Sequence, residues 1–103
     1  MKTQVSLRMT EREFQNLVVD WCLWHRLLAY HTHDSRRSQA GFPDLVIVGN
    51  RVIWVELKSE KGRLSLPQNE WLTRLHRAGQ ETYLWRPANW PAAQQILDSL
   101  TWD

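Results

Sequence analysis

Two runs of apolar residues, rich in Val and Ile and separated by a Gly-Asn-Arg turn, constrain the fold of this chain more than any other feature. The first run covers residues 44–48 and the second covers residues 52–58. β-Branched runs on either side of a glycine-containing turn are typical of a β-hairpin. Asp44 opens the first run, and Glu56 and Lys58 close the second. The sequence therefore predicts two paired strands with two acids and a lysine at one end.

The length of the turn decides whether the two acids can act together. Side chains alternate between the faces of a strand, so a register shift of one residue moves a side chain to the opposite face. A two-residue loop at Gly49-Asn50 would pair Asp44 with Val55 and separate the two carboxylates. A three-residue loop, or a bulge, would pair Asp44 with Glu56 on one face. A shared site therefore predicts the longer turn.

Two neighbouring carboxylates and a lysine are suited to a hard divalent cation. Mg²⁺ prefers oxygen ligands and can bind a phosphate oxygen at the same time. We therefore predict that Asp44 and Glu56 bind Mg²⁺, with the Leu57 carbonyl as a third ligand, for phosphodiester hydrolysis. Lys58 would orient or deprotonate the attacking water, or stabilise transition-state charge, and the sequence does not choose between these roles. The alternative is that each residue is an ordinary solvated ion-pairing partner.

Two capping boxes predict the helices on either side of the hairpin. Apolar residues recur at helical spacing from residue 10 to about residue 28, and Thr10 with Glu13 matches the box pattern at the start. Ser65 and Gln68 match it again, ahead of a helix with an apolar stripe that Gly79 ends. The stripe is formed by Trp71, Leu72, Leu75 and Ala78.

The remaining segments complete an α/β order. Residues 29–33 and 81–86 favour strands, and residues 91–100 favour a last helix. The chain then reads as an αβββαβ core with a mixed sheet and a C-terminal helix. Its length of 103 residues predicts a single domain over 1–103, with residues 1–9 as a short N-terminal extension.

Composition excludes some classes of protein. One cysteine cannot form an internal disulfide, and no stretch resembles a signal peptide or a membrane span, so a cytoplasmic protein with no membrane partner is expected. The formal net charge of +2 does not by itself indicate a nucleic-acid partner.

Two further residues are candidates for the site, and each has a structural alternative. Glu13 borders the apolar face of the first helix and could reach the metal site, but its place in the Thr10 capping box also explains it. Glu11, on the same turn, is the less favoured alternative. Gln68 could contact the attacking water or a phosphate, but it too is explained by its box with Ser65.

Cationic and polar residues near the hairpin are candidate phosphate contacts. The guanidinium of arginine suits phosphate because it donates two parallel hydrogen bonds. A zinc site at His31 and His33 is disfavoured because no second pair of ligands follows, which leaves substrate contact or loop anchoring for these histidines. Arg51 is also expected beside the candidate site, and the alternative for all these residues is a solvated loop and turn. The candidates for nucleic-acid binding are Ser35, Arg36, Arg37, His31, Lys61 and Arg63.

At these residues the chain resembles the PD-(D/E)XK nucleases and, more narrowly, the virus-type replication-repair nuclease (VRR-NUC) family. The resemblance extends from about residue 10 to residue 87. An acid and a lysine on one strand are weakly specific alone, whereas the ordered set of motifs is strong. The matching segments are Glu13-Phe14-Gln15, Gly41-Phe42-Pro43-Asp44, Glu56-Leu57-Lys58, Gly62-Arg63-Leu64-Ser65, Gln68 and Trp85-Arg86-Pro87.

The resemblance implies a restriction-endonuclease-like fold and DNA cleavage that depends on Mg²⁺ or Mn²⁺. Asp44, Glu56 and Lys58 would be catalytic, with Glu13 and Gln68 as auxiliary residues. Stand-alone members are similar to Holliday-junction resolvases, which implies a homodimer that cuts branched DNA, in a phage or bacterium. The alternatives are a restriction-like enzyme that reads a duplex sequence, a catalytically silent nucleic-acid-binding module, and a small interaction protein whose acids pair with arginines.

Overall fold

The structure is a computed structural model that describes residues 5–32 and 39–102. Its elements, in chain order, are α1 (Glu11–Trp24), β1 (Leu28–His31), β2 (Leu45–Val48), β3 (Val52–Leu57), α2 (Leu66–Arg77), β4 (Glu81–Trp85), a 3₁₀ turn (Pro87–Asn89) and α3 (Trp90–Ser99). This order confirms the predicted α/β fold. The predicted bounds differ from these by up to four residues at an end, and the 3₁₀ turn was not foreseen.

One four-stranded mixed sheet has the strand order β1-β2-β3-β4. The first three strands form an antiparallel meander, whereas β4 pairs parallel to β3 after the α2 crossover. Leu45 pairs with Val55 and Val48 pairs with Val52, so the hairpin turn has three residues. The longer turn predicted from the sequence is confirmed, and the register continues to place Asp44 opposite Glu56.

One face of the sheet forms the hydrophobic core with α1 and α3. Burial alternates along β3, where Ile53, Val55 and Leu57 point into this core. On the helices, the core is formed by Phe14, Leu17, Val18 and Cys22 of α1 and by Trp90, Ala93 and Leu97 of α3. The rings of Phe14 and Trp90 meet edge to face at a centroid distance of 6.2 Å, a favourable geometry for aromatic pairs.

The opposite face of the sheet carries α2, which packs on β3 and β4. Phe42 lies between the rings of Trp71 and Trp54, at centroid distances of 5.0 and 6.1 Å. α2 has no fully buried residue, because it covers only part of one face. In the predicted stripe, Trp71, Leu72 and Leu75 are half-buried, whereas Ala78 is exposed at the C-cap.

Both predicted capping boxes are present. The Thr10 hydroxyl accepts a hydrogen bond from the Glu13 amide, and the Glu13 carboxylate accepts one from the Thr10 amide. Ser65 and Gln68 form the same reciprocal pair at the start of α2. No helix within the described ranges is sufficiently long and apolar to cross a bilayer.

Candidate active site

The carboxylates of Asp44 and Glu56 are held together by the backbone of the hairpin. The Asp44 amide donates to Glu56 Oε1 at 3.2 Å, and the Leu57 amide donates to Asp44 Oδ2 at 2.8 Å. Each acid is therefore fixed by an amide of the opposite strand, which is possible only because the three-residue turn places both on one face. Glu56 is fully buried, which is uncommon for a glutamate.

Gln68 connects the start of α2 to this pair of acids. Its Nε2 donates to Glu56 Oε2 at 2.8 Å, while its Oε1 accepts from the Ser65 amide at 2.8 Å. The single glutamine side chain thus completes the helix cap and orients the buried carboxylate. The capping role that the sequence offered for Gln68 is confirmed, whereas its contact with the attacking water or a phosphate stays a prediction.

A third carboxylate comes from Glu11 at the N-terminus of α1. One oxygen from each of Glu11, Asp44 and Glu56 lies within 4.8 Å of the others. Lys58 is nearly buried, and its Nζ lies 4.0 Å from Glu11 Oε1. We refer to Glu11, Asp44 and Glu56 as the acid cluster; together with Lys58 they form a compact polar site at the end of the sheet.

Burial at this site raises the pKa values of Glu56 and Glu11. Burial raises the pKa of Glu56 to about 9, and the nearby charge and hydrogen bond of Asp44 add to this effect. Burial also raises the pKa of Glu11, although the Lys58 charge opposes the shift. Buried acids that share a site cannot all ionise unless a positive charge compensates them. The cluster is therefore chemically incomplete without a cation or a proton.

The loop before Asp44 reaches the site through a close contact with α2. Gly41 has φ +91°, and a Cβ atom there would lie 2.4 Å from the Pro67 carbonyl carbon and 2.7 Å from the Gln68 nitrogen. Trp71 Nε1 also donates to the Ala40 carbonyl at 3.1 Å. The Gly-Phe-Pro-Asp motif therefore joins the loop to the same helix turn that supplies Gln68.

We expect Gly41→Ala to destabilise the fold much more than Gly79→Ala. Gly79 has a similar φ of +87°, but nothing lies within 4 Å of a Cβ atom there. The control should cost about 1–2 kcal/mol for the left-handed backbone alone, whereas Gly41→Ala adds overlap with a helix backbone. Urea denaturation of both variants measures the difference. Equal losses would show that the close approach at Gly41 is unimportant.

The Arg86 side chain holds the basic loop of residues 59–63, which follows Lys58, and we call this set of hydrogen bonds the clamp. Arg86 Nη1 donates to the carbonyls of Ser59, Glu60 and Gly62 at 2.8, 3.3 and 2.6 Å. Glu60 Oε2 also accepts a hydrogen bond from the Ala88 amide at 3.0 Å. The sequence analysis assigned no role to Arg86 beyond its place in a motif. Arg86 can hold this loop because β4 ends beside it, a contact that only the folded chain reveals.

The chain is similar to proteins of one known family in both sequence and fold. The family model of the VRR-NUC domain matches residues 5–89, which is most of the chain. This chain belongs to the VRR-NUC family. A solved structure described as a VRR_NUC domain protein has the same fold, with a TM-score of 0.69 and 20% sequence identity, over 92% of this chain and 93% of that chain. No curated protein matches.

Within this VRR-NUC domain, the structure brings together Asp44, Glu56, Lys58 and Gln68 but not Glu13. The Glu13 carboxylate is exposed and bonded to Thr10, whose hydrogen bonds lower the pKa of Glu13. Glu11, the less favoured alternative, takes the place that was expected for Glu13. A helix rotates by about 100° per residue, so residues two positions apart face different directions, and only the docking of α1 shows which faces the sheet.

The other predicted contacts have different positions. Ser35, Arg36 and Arg37, together with His33, lie outside the described residues. Arg51 is at the far end of β3, where its guanidinium pairs with Glu81 at 2.7 Å, so its expected place near the site is wrong. Lys61 and Arg63 are exposed on the clamped loop next to Lys58, and Leu57 is buried at the end of β3.

His31 lines a groove of about 550 Å³ between α1 and the end of β1. The groove shares Glu11 with the acid cluster, and its Thr32 amide donates to the Asp44 carbonyl at 3.3 Å. It therefore opens directly beside the site. Polar side chains dominate the lining, which consists of Glu11, Arg12, Gln15, Asn16, His31 and Thr32.

Proposed function

We propose that this VRR-NUC domain is a DNA endonuclease that depends on Mg²⁺ or Mn²⁺. The observation that carries the proposal is the acid cluster: three carboxylate oxygens from Glu11, Asp44 and Glu56 within 4.8 Å of one another. Lys58 lies beside this cluster. Convergent carboxylates and a nearly buried lysine at one edge of a sheet match the requirements of phosphodiester hydrolysis better than those of a structural ion pair.

The residues present fit a hard divalent cation. All three are oxygen donors, which Mg²⁺ and Mn²⁺ prefer, and the raised pKa of Glu56 supports a site that a positive charge would stabilise. Glu11, Asp44 and Glu56 would hold the ion, with the Leu57 carbonyl as a further proposed ligand. When bound, such an ion polarises a phosphate oxygen and acidifies a water molecule.

The chain's own groups position the reaction. The Asp44 and Leu57 amides fix the two hairpin carboxylates, and Gln68 prevents the Glu56 side chain from rotating away. The ammonium group of Lys58, held close to the cluster, is placed to orient the attacking water or to stabilise negative charge on the phosphate. Its Nζ lies 4.0 Å from Glu11 Oε1, beside the proposed reacting centre.

DNA is proposed to cross the site from the polar groove to the basic loop. The groove, which contains His31, meets the acid cluster at Glu11, while Lys61 and Arg63 are exposed on the basic loop that follows Lys58. Ser35, Arg36 and Arg37 remain proposed phosphate contacts.

We expect Arg12→Ala to weaken DNA binding about tenfold and to reduce the salt dependence by about one counterion. Arg12 is exposed on the groove wall, next to Glu11. Arg77→Ala is the matched control, because Arg77 is an exposed helical arginine of α2, outside the groove lining. Fluorescence anisotropy in Ca²⁺ at several salt concentrations makes the comparison. If the two variants bound DNA with equal affinity, DNA would not bind in the groove.

The finer features of the proposal come from the family resemblance. They are a preference for branched DNA, such as a Holliday junction, a role in repair, and a homodimer in which two sites address two strands. A cytoplasmic location in a bacterium, or in the host of a phage, belongs with them. A duplex-reading restriction-like enzyme remains the alternative nuclease.

The two non-enzymatic alternatives are less consistent with the site. A silent binding module would have no need for an acid cluster beside a nearly buried lysine. An interaction protein would pair its acids with arginines, whereas Asp44 and Glu56 accept hydrogen bonds from backbone amides and Gln68 in the part of the chain that is described.

Cleavage of labelled DNA tests the proposal. Four-way junctions, flaps, splayed arms and plain duplex are incubated with Mg²⁺, Mn²⁺ or a chelator. We expect metal-dependent cleavage by the wild type and by Asp98→Asn, an exposed control on α3, and none by Asp44→Asn. Equal cleavage by the wild type and Asp44→Asn would reveal a contaminating nuclease or a different site, and no cleavage of any substrate would refute the proposal.

A further inference from the structure

The polar groove between α1 and the end of β1 has a lining unlike that of a phosphate channel. Glu11 and Arg12 carry opposite charges there. The rest of the lining offers two amides, an imidazole and a hydroxyl, from Gln15, Asn16, His31 and Thr32. A channel that follows a nucleic-acid backbone presents several cations, because every phosphate is negative. The groove is therefore suited to a neutral group that forms hydrogen bonds, with Arg12 available to one adjacent phosphate.

The two amide side chains of the groove are open to a ligand. The amide of Gln68 is fully used, because it donates to Glu56 and accepts from Ser65. Within the described ranges, by contrast, neither Gln15 nor Asn16 forms a side-chain hydrogen bond. Gln15 is half-buried in the groove wall, yet its amide is not among the fully buried polar atoms that lack a partner. The groove thus presents donors and acceptors that only solvent occupies.

Gln15 lies close to the acid cluster. It follows Glu11 by four residues, so the two side chains share a face of α1 and lie about 6 Å apart along the helix axis. On the opposite wall, the Thr32 amide donates to the Asp44 carbonyl at 3.3 Å. The groove therefore begins at the acid cluster, and the Gln15 amide lies within the length of a nucleotide from it.

The groove is concave, which restricts the group that can enter it. Phe14, Leu17 and Val18 of α1 are buried in the core, so this helix is docked on the sheet. A helix that reads paired bases instead projects from the protein into the major groove of a duplex. A concave site with convergent polar groups accepts a group that protrudes from its ligand, and an unpaired base can protrude in this way.

We propose that the polar groove binds an unpaired nucleobase next to the phosphate that is cut. Gln15 and Asn16 pair with the edge of the base, while Arg12 contacts a neighbouring phosphate. Every base has a donor beside an acceptor on its edge, so the groove recognises the presence of an unpaired base more than its identity. The position relative to the cut rests on the proposed nuclease function, whereas the base contact itself does not require cleavage.

Two single strands of equal length and charge test the base contact without catalysis. One is oligothymidine, the other carries abasic tetrahydrofuran residues, and fluorescence anisotropy in Ca²⁺ gives both affinities. Gln15→Met keeps the side-chain length but removes the amide, so it should weaken oligothymidine binding about tenfold and leave the abasic strand unaffected. The matched control is Gln95→Met, an exposed position of α3 outside the groove lining, which should bind both strands like the wild type.

Two more variants complete the binding test, and a urea midpoint confirms that each variant folds. Arg12→Ala should weaken both strands by the same factor, because both carry the same phosphates. Asn16→Leu should act like Gln15→Met and lower the ratio of the two affinities. The inference would be overturned if the wild type bound neither strand, or if folded Gln15→Met and Asn16→Leu both kept the wild-type ratio.

A single abasic residue, moved one position at a time along the DNA strand that the wild type cuts, locates the base contact. One position next to the cut should slow single-turnover cleavage about tenfold, and Gln15→Met should abolish this dependence while Gln95→Met retains it. A lowered affinity ratio without metal-dependent cleavage would refute the nuclease and leave the base contact intact. Metal-dependent cleavage with no sensitive position and an unchanged ratio would refute the base contact and leave the nuclease intact.

Discussion

Glu11→Gln should lower metal-dependent cleavage by about 10²–10³-fold, whereas Glu13→Gln should leave the rate close to that of the wild type. Glu11 contributes a carboxylate oxygen to the acid cluster and lies 4.0 Å from Lys58 Nζ. The amide of glutamine keeps the size of the side chain but removes the negative charge that a cation requires. The loss should therefore appear in the rate and in Mn²⁺ affinity.

Glu13→Gln is the control for Glu11→Gln, because it makes the same nearly isosteric change about half a helical turn further along α1. Its carboxylate bonds to the Thr10 amide, and glutamine can make the same capping hydrogen bond. Single-turnover cleavage and Mn²⁺ titration calorimetry of both variants separate the two roles. If Glu13→Gln were as defective as Glu11→Gln, the family-based expectation for Glu13 would stand and the acid cluster would need revision.

The metal-free protein should lose stability as the pH rises from about 5 to about 9. Burial raises the pKa of Glu56 from 4.5 to about 9, so the folded chain keeps a proton that the unfolded chain releases in this range. The stability that this proton provides is complete below pH 4.5 and lost by about pH 9. One proton corresponds to a slope of at most about 1.4 kcal/mol per pH unit.

Mn²⁺ should largely abolish this loss, because the cation replaces the proton as the compensating charge. Urea midpoints between pH 5 and pH 9, in chelator and in Mn²⁺, measure the effect. Histidines and Glu11 titrate over part of the same range, so Glu56→Gln is the reference that isolates Glu56. This variant should show a flatter pH profile and little response to Mn²⁺. A wild type whose stability does not fall relative to that variant would show that Glu56 ionises normally.

Much of the fold was predictable because the signals were local. The Val- and Ile-rich runs specified the hairpin, and the chemistry proposed for its acids required a three-residue turn, which the register confirms. The capping boxes also depend on residues three positions apart, so sequence spacing was enough to find both. Asp44, Glu56 and Lys58 could be proposed as site residues for the same reason, since one hairpin carries all three.

The errors and omissions concern contacts between elements that are distant in sequence. The choice between Glu11 and Glu13 depends on how α1 rotates against the sheet, and the clamp by Arg86 depends on where β4 ends. The sequence predicted the apolar stripe on α2 but not how far it would be buried; its residues are at most half-buried, because the helix packs on β3 and β4 alone among the strands it covers.

The sequence by itself determined the hairpin and the two acids near its end, and the shared site proposed for those acids required the three-residue register that the structure shows. Alternation along a strand and the length of a turn are local properties, so residues 44–58 contained that information. Only the tertiary structure supplied the third carboxylate and joined Gln68 to Glu56. Those features arise from the docking of α1 and α2, which depends on packing summed over the whole core and not on any single motif.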